Sequence, residues 1–312
     1  MGLLMMIGML VLCFIIFAGY FLFLSGGWPK RSDFRVDWTF VRKLAMAGDQ
    51  PLPLGINFLT VARGALPSWG VAAGDFSGRY RIDFPSFQII YADKTGVLEA
   101  PFSKRLFDRF PYGAEYDQKA YEIMQQAMLQ AAFIVPTHEH WDHLGGIAQS
   151  PHLNRILPKT VLTRKQINGP TIRDAEFPAQ ALENYKPLDY EQYCRVAPGV
   201  VLIDAPGHSR GHQLIYVQLQ NGREYLFTGD IVWVTANLEK KKARPRLANI
   251  RRRENRGQIA HQMKWLYEEC FHNPENKIIF VTTHDPEQHE QYIQKGLLGD
   301  GFEILHRTIS GV

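Results

Sequence analysis

The stretch "VPTHEHWDHLGG", Val135 to Gly146, sets three histidines and an aspartate within the six residues His138 to His143. It grows out of "FIVPT", a β-branched and aromatic run closed by proline, which reads as a buried strand. His138 therefore opens a loop at a strand end, where a rigid scaffold presents functional groups. In extended backbone the side chains at i and i+2 share one side, so His138 and His140 can grip one ion together. Asp142 and His143 stand where the chain turns toward a helix at "HLGGIAQ", so they can face a second point a few ångströms away. The spacing suits two adjacent metals; the competing reading is a solvated loop that happens to hold histidines.

Three later strand ends carry matching groups. "LIDAPGHSRGHQ" places His208 just beyond the strand Val200 to Asp204, "LFTGD" ends a strand in Asp230, and "FVTTHD" ends one in His284. Five histidines and two aspartates can fill two metal positions with nitrogen and oxygen donors, a set suited to zinc that also admits iron or manganese.

The ordered motifs HEHWDH, GHS, TGD and THD resemble those of the metallo-β-lactamase fold superfamily, in particular its dinuclear metallohydrolases of the lactonase and glyoxalase II-like branch. The likeness runs from about Gly55 to His284 and beyond. It implies that His138, His140 and His208 hold one metal and that Asp142, His143 and His284 hold the other, with Asp230 bridging them. It further implies an α/β, four-layer αββα sandwich and two Zn2+ per chain. Asp142 is then the catalytic residue, orienting a water and moving its proton to the leaving group.

The bridging Asp230 and the full HxHxDH pattern argue against the β-lactamases proper, and His140 stands where a diiron redox relative would carry an acid. The expected activity is hydrolysis of a small ester, lactone or thioester. The alternatives are a phosphodiester hydrolase and a metal-stabilised binding protein without turnover. Two positions depart from the resemblance. Glu99, Ala100 and Pro101, at the end of "GVLEA", stand where relatives often have an Asp–Thr–Gly-like turn, and Trp233 stands where the lactonases place a tyrosine three residues beyond the bridging aspartate. Trp141 and Trp233 are candidates for pocket walls or for packing, His212 for ligand support or a structural role, and Asp285 for a buttress of His284.

The rest of the chain bounds this reading. A length of 312 residues with 46% hydrophobic and 21% charged residues is the balance of an ordinary globular protein. The first charged side chain is Lys30, and Leu3 to Leu24 are almost all apolar. About 22 residues at a rise of ~1.5 Å would cross a hydrocarbon layer of ~30 Å. Residues 1–25 thus read as a single-pass transmembrane anchor, against a cleaved signal peptide or a core helix. Lys30, Arg31, Arg35, Arg42 and Lys43 follow it, which favours a cytoplasmic main domain. Residues 26–53 read as a connecting arm and 54–312 as the hydrolase domain.

Cys13, Cys194 and Cys270 form no CxxC pair and no disulfide framework. The segment 239–256 holds nine Lys or Arg against two Glu. It reads as a solvated face, as a patch for anionic lipid, or as a holder of a negatively charged small-molecule substrate. It lacks the basic and aromatic interleaving of a nucleic-acid surface.

Overall fold

The computed structural model describes residues 2–304. Met1, at the start of the anchor, and residues 305–312, at the end of the 54–312 domain, lie outside the described residues, as does the side chain of Arg251 in the basic segment.

One mixed sheet is built from β1 (Gly55–Pro67), β2 (Arg79–Ile90), β3 (Thr95–Leu98), β4 (Gly113–Tyr116), β5 (Phe133–Val135) and β11 (Gly299–Asp300), in the order β11-β1-β2-β3-β5 with β4 beside β1. The second contains β6 (Tyr193–Ala197), β7 (Val200–Asp204), β8 (Gln213–Gln218), β9 (Glu224–Phe227) and β10 (Ile279–Val281), in the order β10-β9-β8-β7-β6. Period-two alternation sorts their side chains into layers. Leu202, Ile215, Val217 and Phe227 meet Phe58, Phe87 and Leu98 between the sheets. Val201, Ile203, Leu214 and Tyr216 point the other way, onto the helix Arg256–Leu266 through Ile259, Met263 and Trp265. On the far side Val61, Val97 and Ile134 pack on Met124 and Met128 of the helix Gln118–Gln130 and on Leu144 and Ile147 of the helix Trp141–Ala148. The result is helices, sheet, sheet and helices, the expected layering.

Two strand-forming runs settle differently in the fold. "YRIDF" and "FQIIYA" form one strand, β2, which passes through Pro85. Pro85 pairs with Thr60 where the register of β1 shifts, and a bulge tolerates a residue that cannot donate to the ladder. "TVLT" makes only isolated bridges, Thr160 to Ile134 and Thr163 to Leu188.

The segment 26–53 is firmly attached. Asp37 caps the helix Trp38–Ala45 by accepting from Phe40 N–H (3.0 Å), and Trp28, Phe34, Val41 and Ala45 join the layer outside the second sheet. The helical run Gly2–Leu24, by contrast, is long and apolar enough to cross a membrane, and none of it is buried. That rules out the core-helix reading.

Asp75 ties the loop after β1 to the basic segment. Its carboxylate accepts from Ser77 N–H (2.9 Å), Tyr80 Oη (2.7 Å) and Lys240 Nζ. Burial opposes its ionisation, but these donors outweigh burial and hold the carboxyl well below its usual 3.8. A depressed carboxyl contributes stability above its unfolded pKa and loses it as pH falls through the folded one. Asp75→Asn should therefore lower Tm at neutral pH by several degrees, a deficit that closes as pH drops below 3.8, measured by thermal unfolding across pH.

Candidate metal centre

The loop from β5 into the helix Trp141–Ala148 delivers the first four groups. The two glycines of "HLGG" decide how closely this helix can approach its neighbours. A Cβ on Gly146 would lie 2.4 Å from Pro101 O, and Gly146 N–H donates to Ala100 O (2.9 Å). Ala100 N–H returns a bond to His143 O (2.9 Å), so Glu99 is held against the histidine. Asp230 follows Gly229, whose φ of +53 favours glycine and whose Cβ would lie 2.4 Å from His212 Nε2.

The structure gathers all seven expected ligands. His138, His140, His208 and Asp230 form one buried group, and Asp142, His143, His284 and Asp230 form a second. His138 Nε2 and His208 Nε2 each lie 2.9 Å from His140 Nδ1. Asp230 Oδ2 lies 3.2 Å from His208 Nε2, while its Oδ1 lies 3.2 Å from His143 Nε2 and 3.1 Å from His284 Nε2. Asp142 Oδ2 stands 3.9 Å from His143 Nε2 and 4.0 Å from His284 Nε2.

Both Asp230 oxygens, Asp142 Oδ1, His143 Nε2 and His284 Nε2 are buried without a hydrogen-bond partner among the described residues. Buried polar atoms normally find partners, and ligands bonded to a tetrahedral Zn2+ at ~2.0–2.1 Å sit ~3.3 Å apart. The orphaned atoms and their separations fit a pair of divalent cations.

Outer partners fix how the rings point. His143 Nδ1 faces Glu99 Oε2 (2.8 Å), and Glu99 Oε1 accepts from Thr137 N–H (3.1 Å). His284 Nδ1 donates to Asp83 O (2.7 Å), and His138 Nδ1 meets Thr137 Oγ1 (3.1 Å). His208 Nδ1 faces Glu254 Oε1 at 3.4 Å, and Glu254 is paired with Arg244 Nη1 (2.7 Å). His212 Nδ1 donates to Ala205 O (3.0 Å), which leaves Nε2 to accept Asp230 N–H (3.0 Å). His212 thus supports the backbone of the bridging residue.

Electrostatics follow the same division. Burial and the neighbouring imidazoles push His138 well below its ordinary pKa, and His140 likewise with Arg252 adding to the effect. Burial opposes the cation at His143, but Glu99, Asp230 and Asp142 outweigh it and raise that pKa. Burial also opposes ionisation of Asp230, yet His284, His143 and His208 hold its carboxyl well below the usual range.

Glu99, Asp83 and Glu254 were not assigned a site role by sequence reasoning. The faint signal for Glu254 was an acid set inside a basic run. Asp285 does not touch the His284 ring: it caps the helix Pro286–Gln294 and accepts from Thr235 N–H (2.7 Å). Trp141 packs on Phe102 (5.4 Å) in an aromatic cluster. Trp233 borders the site, its ring 5.1 Å from His284 and 4.2 Å beneath the Arg244 guanidinium. Glu139, interleaved among the ligands, accepts from Ser209 Oγ (2.6 Å) and joins the His138 loop to the His208 loop.

Facing sheets with flanking helices, and two carboxylate-bridged ligand groups at the strand ends, define a metallo-β-lactamase-fold protein with a centre fit for two metals. No family profile matches the chain. An N-acyl homoserine lactonase of Bacillus thuringiensis is 30% identical over 109 residues, which cover 34% of this chain and 41% of that one. A "Probable metallo-hydrolase" of Mycobacterium tuberculosis (strain ATCC 25618 / H37Rv) is 29% identical over 187 residues, 50% of this chain and 56% of that one. The chain thus spans less than half the length of the lactonase. In structure, an N-acyl homoserine lactone hydrolase with the product N-hexanoyl-L-homoserine at its catalytic metal center aligns with a TM-score of 0.56 at 17% identity, covering 77% of this chain and 96% of that one. This chain therefore has the fold of those enzymes, and its relatives are metallo-hydrolases.

Proposed function

We propose that the protein is a dizinc hydrolase of a small ester, lactone or thioester. The observation that carries this reading is the pair of ligand groups sharing Asp230, whose two buried oxygens have no hydrogen-bond partner among the described residues. Two bound divalent cations would lower the pKa of a shared water from ~15.7 toward neutrality and polarise an acyl oxygen. The chain's own groups do the rest. Asp230 aligns the two ligand groups, and its negative charge offsets part of the cations' charge. Glu99, Asp83 and Glu254 hold three of the rings in orientation. Asp142 Oδ1, a buried acceptor with no partner among the described residues, orients the attacking water and carries its proton to the departing oxygen or sulfur. Water adds to the acyl carbon and the acyl–heteroatom bond breaks, so acid and alcohol or thiol account for every atom. Trp233 in place of a tyrosine supplies an N–H donor without the chemistry of a phenol. The relatives' activity on homoserine lactones makes lactones the first substrates to try.

We read the helix Gly2–Leu24 as a retained single-pass anchor with the catalytic domain on the cytoplasmic side. Its end is joined to the domain: Phe23 O accepts from Gly74 N–H (3.0 Å), Gly26 O from Ala243 N–H (2.9 Å) and Ser25 O from Arg256 Nη2. Cleavage near residue 25 would remove or disturb these contacts.

The test is the full chain, purified in mild detergent, analysed for metal and screened against lactones, thioesters, aryl esters and phosphodiesters. Two zinc ions per chain with acyl-ester turnover supports the proposal. Turnover confined to phosphodiesters would replace it with phosphodiester hydrolysis. After chelation, re-adding Zn2+ at about 100 times its Kd should restore ~2.7 kcal/mol of stability, read by chemical denaturation. No change on chelation would argue against a resident metal.

A further inference from the structure

Two separate parts of the fold close around the end of the N-terminal helix. On one side, Trp69 sets its ring edge-on to Phe23 (5.6 Å), beside the bond from Gly74 to Phe23 O. On the other, the helix Arg246–Arg252 lays the Arg246 guanidinium over the Phe21 ring (4.2 Å), and Arg246 Nε donates to Ser25 Oγ (3.2 Å). This collar leaves large apolar side chains exposed: Phe76 is 67% exposed, Ile250 64% and Leu247 38%. Lys241 and Arg253 are exposed in the same basic segment.

Scattered apolar residues on a surface need no explanation, but these stand on the two segments that grip the end of a helix suited to a bilayer. Apolar tips flanked by Lys and Arg match an anionic phospholipid surface, the tips entering the acyl boundary and the cations meeting headgroups.

The same short helix reaches the metal centre at its other end. Arg252 stands 6.0 Å from the Trp233 ring, and Asn249 lines a small void together with Asp230, Trp233 and Arg244. Seven residues at a rise of ~1.5 Å span only ~10 Å. A collar seated on lipid therefore brings the metal centre close to the bilayer boundary.

We propose that the collar formed by Phe76, Leu247 and Ile250 docks on an anionic phospholipid bilayer and presents the metal centre to acyl esters dissolved in it. This rests on reading Gly2–Leu24 as a retained anchor and the centre as hydrolytic. It names the substrate class that architecture favours: an amphiphile whose acyl chain stays in the membrane while its ester group reaches the centre.

The test uses the full chain with Cys13, Cys194 and Cys270 replaced by alanine and a single cysteine introduced by Ile250→Cys, labelled with an environment-sensitive nitrobenzoxadiazole. Asn221→Cys, in the turn between β8 and β9, serves as the control, because β8 runs away from His212 and the centre. In vesicles of phosphatidylcholine and phosphatidylglycerol, the label at 250 should shift to the blue and be quenched by spin-labelled lipid, while that at 221 stays in water. Phosphatidylcholine alone should give a weaker shift. A label at 250 as wet as that at 221, in a chain that resists carbonate extraction, overturns docking while leaving the anchor intact. Extraction of the chain by carbonate overturns the anchor and the docking together.

In parallel, Ile250→Glu should raise KM for vesicle-borne p-nitrophenyl palmitate about tenfold or more, from loss of one apolar contact, and leave p-nitrophenyl acetate unchanged. Equal losses on both esters overturn delivery from the bilayer. Turnover of neither ester by the unsubstituted chain removes the hydrolase reading, and the label still decides docking.

Discussion

Asp142→Asn is expected to lower kcat by ~10²–10⁴-fold, the usual contribution of a positioned acid–base group. The substitution keeps one oxygen able to face His143 and His284, as Oδ2 does at 3.9 and 4.0 Å. It replaces the other acceptor by an amide that cannot take up the proton of an attacking water. Oδ1 is buried and free of other partners, so its loss breaks no hydrogen bond within the described residues. Metal content and Tm should therefore change little while turnover collapses. Unchanged turnover would remove Asp142 from the proton path, and a parallel loss of metal would make it chiefly a ligand. Steady-state kinetics with metal analysis on the same samples separates these outcomes.

The second large effect is expected at Glu254, far from any recognisable motif. Its side chain is fully buried and joins Arg244 to His208. Burial opposes its ionisation, yet Arg244, His208 and Asn249 hold its pKa at about 2. Glu254→Gln leaves the Arg244 cation buried without its counter-charge, a change that typically costs ~3–5 kcal/mol. Denaturant unfolding should show that loss at neutral pH. Because the folded pKa is depressed from 4.5, the carboxylate's contribution is complete above 4.5 and is lost as pH falls toward about 2, so the variant should lack that acid-sensitive portion. The His208 ring also loses its orienting partner, and zinc affinity should drop by roughly 10–100-fold. A variant as stable as the parent would mean that Arg244 is held mainly by its stacking on Trp233.

Much of the centre was legible because its chemistry is local. His138 and His140 lie close together in the bend that follows β5, and Asp142 and His143 follow on the first turn of a helix, so a short stretch of chain aims all four. His208, Asp230 and His284 each follow a hydrophobic run of strand length and share the same end of the fold. The αββα layering was legible only as what the resemblance of the motifs implies; in the fold, alternation in β7 and β8 sends Leu202 and Ile215 to one layer and Val201 and Leu214 to another.

Distance in sequence hid the rest. Glu99 lies 44 residues before His143, and only the pairing of β3 with β5 and the close approach at Gly146 bring them together. Glu254 was obscured by the basic residues around it, and Asp83 acts through a backbone carbonyl that any residue type would supply. Asp285, a candidate buttress of His284, instead caps the next helix, because adjacency in sequence does not set side-chain direction.

The sequence by itself therefore singled out seven side chains as candidates to hold metal, a set of strand-length runs with helices between them, and an apolar run from Leu3 to Leu24. Tertiary structure alone decided which distant carboxylates hold the ligands, that much of the arm 26–53 packs outside the second sheet, and that the basic segment links the end of the N-terminal helix to the metal centre. The physical reason is that period and propensity act over a few residues, whereas burial of a charge beside its partner exists only after the sheets and helices have closed on one another.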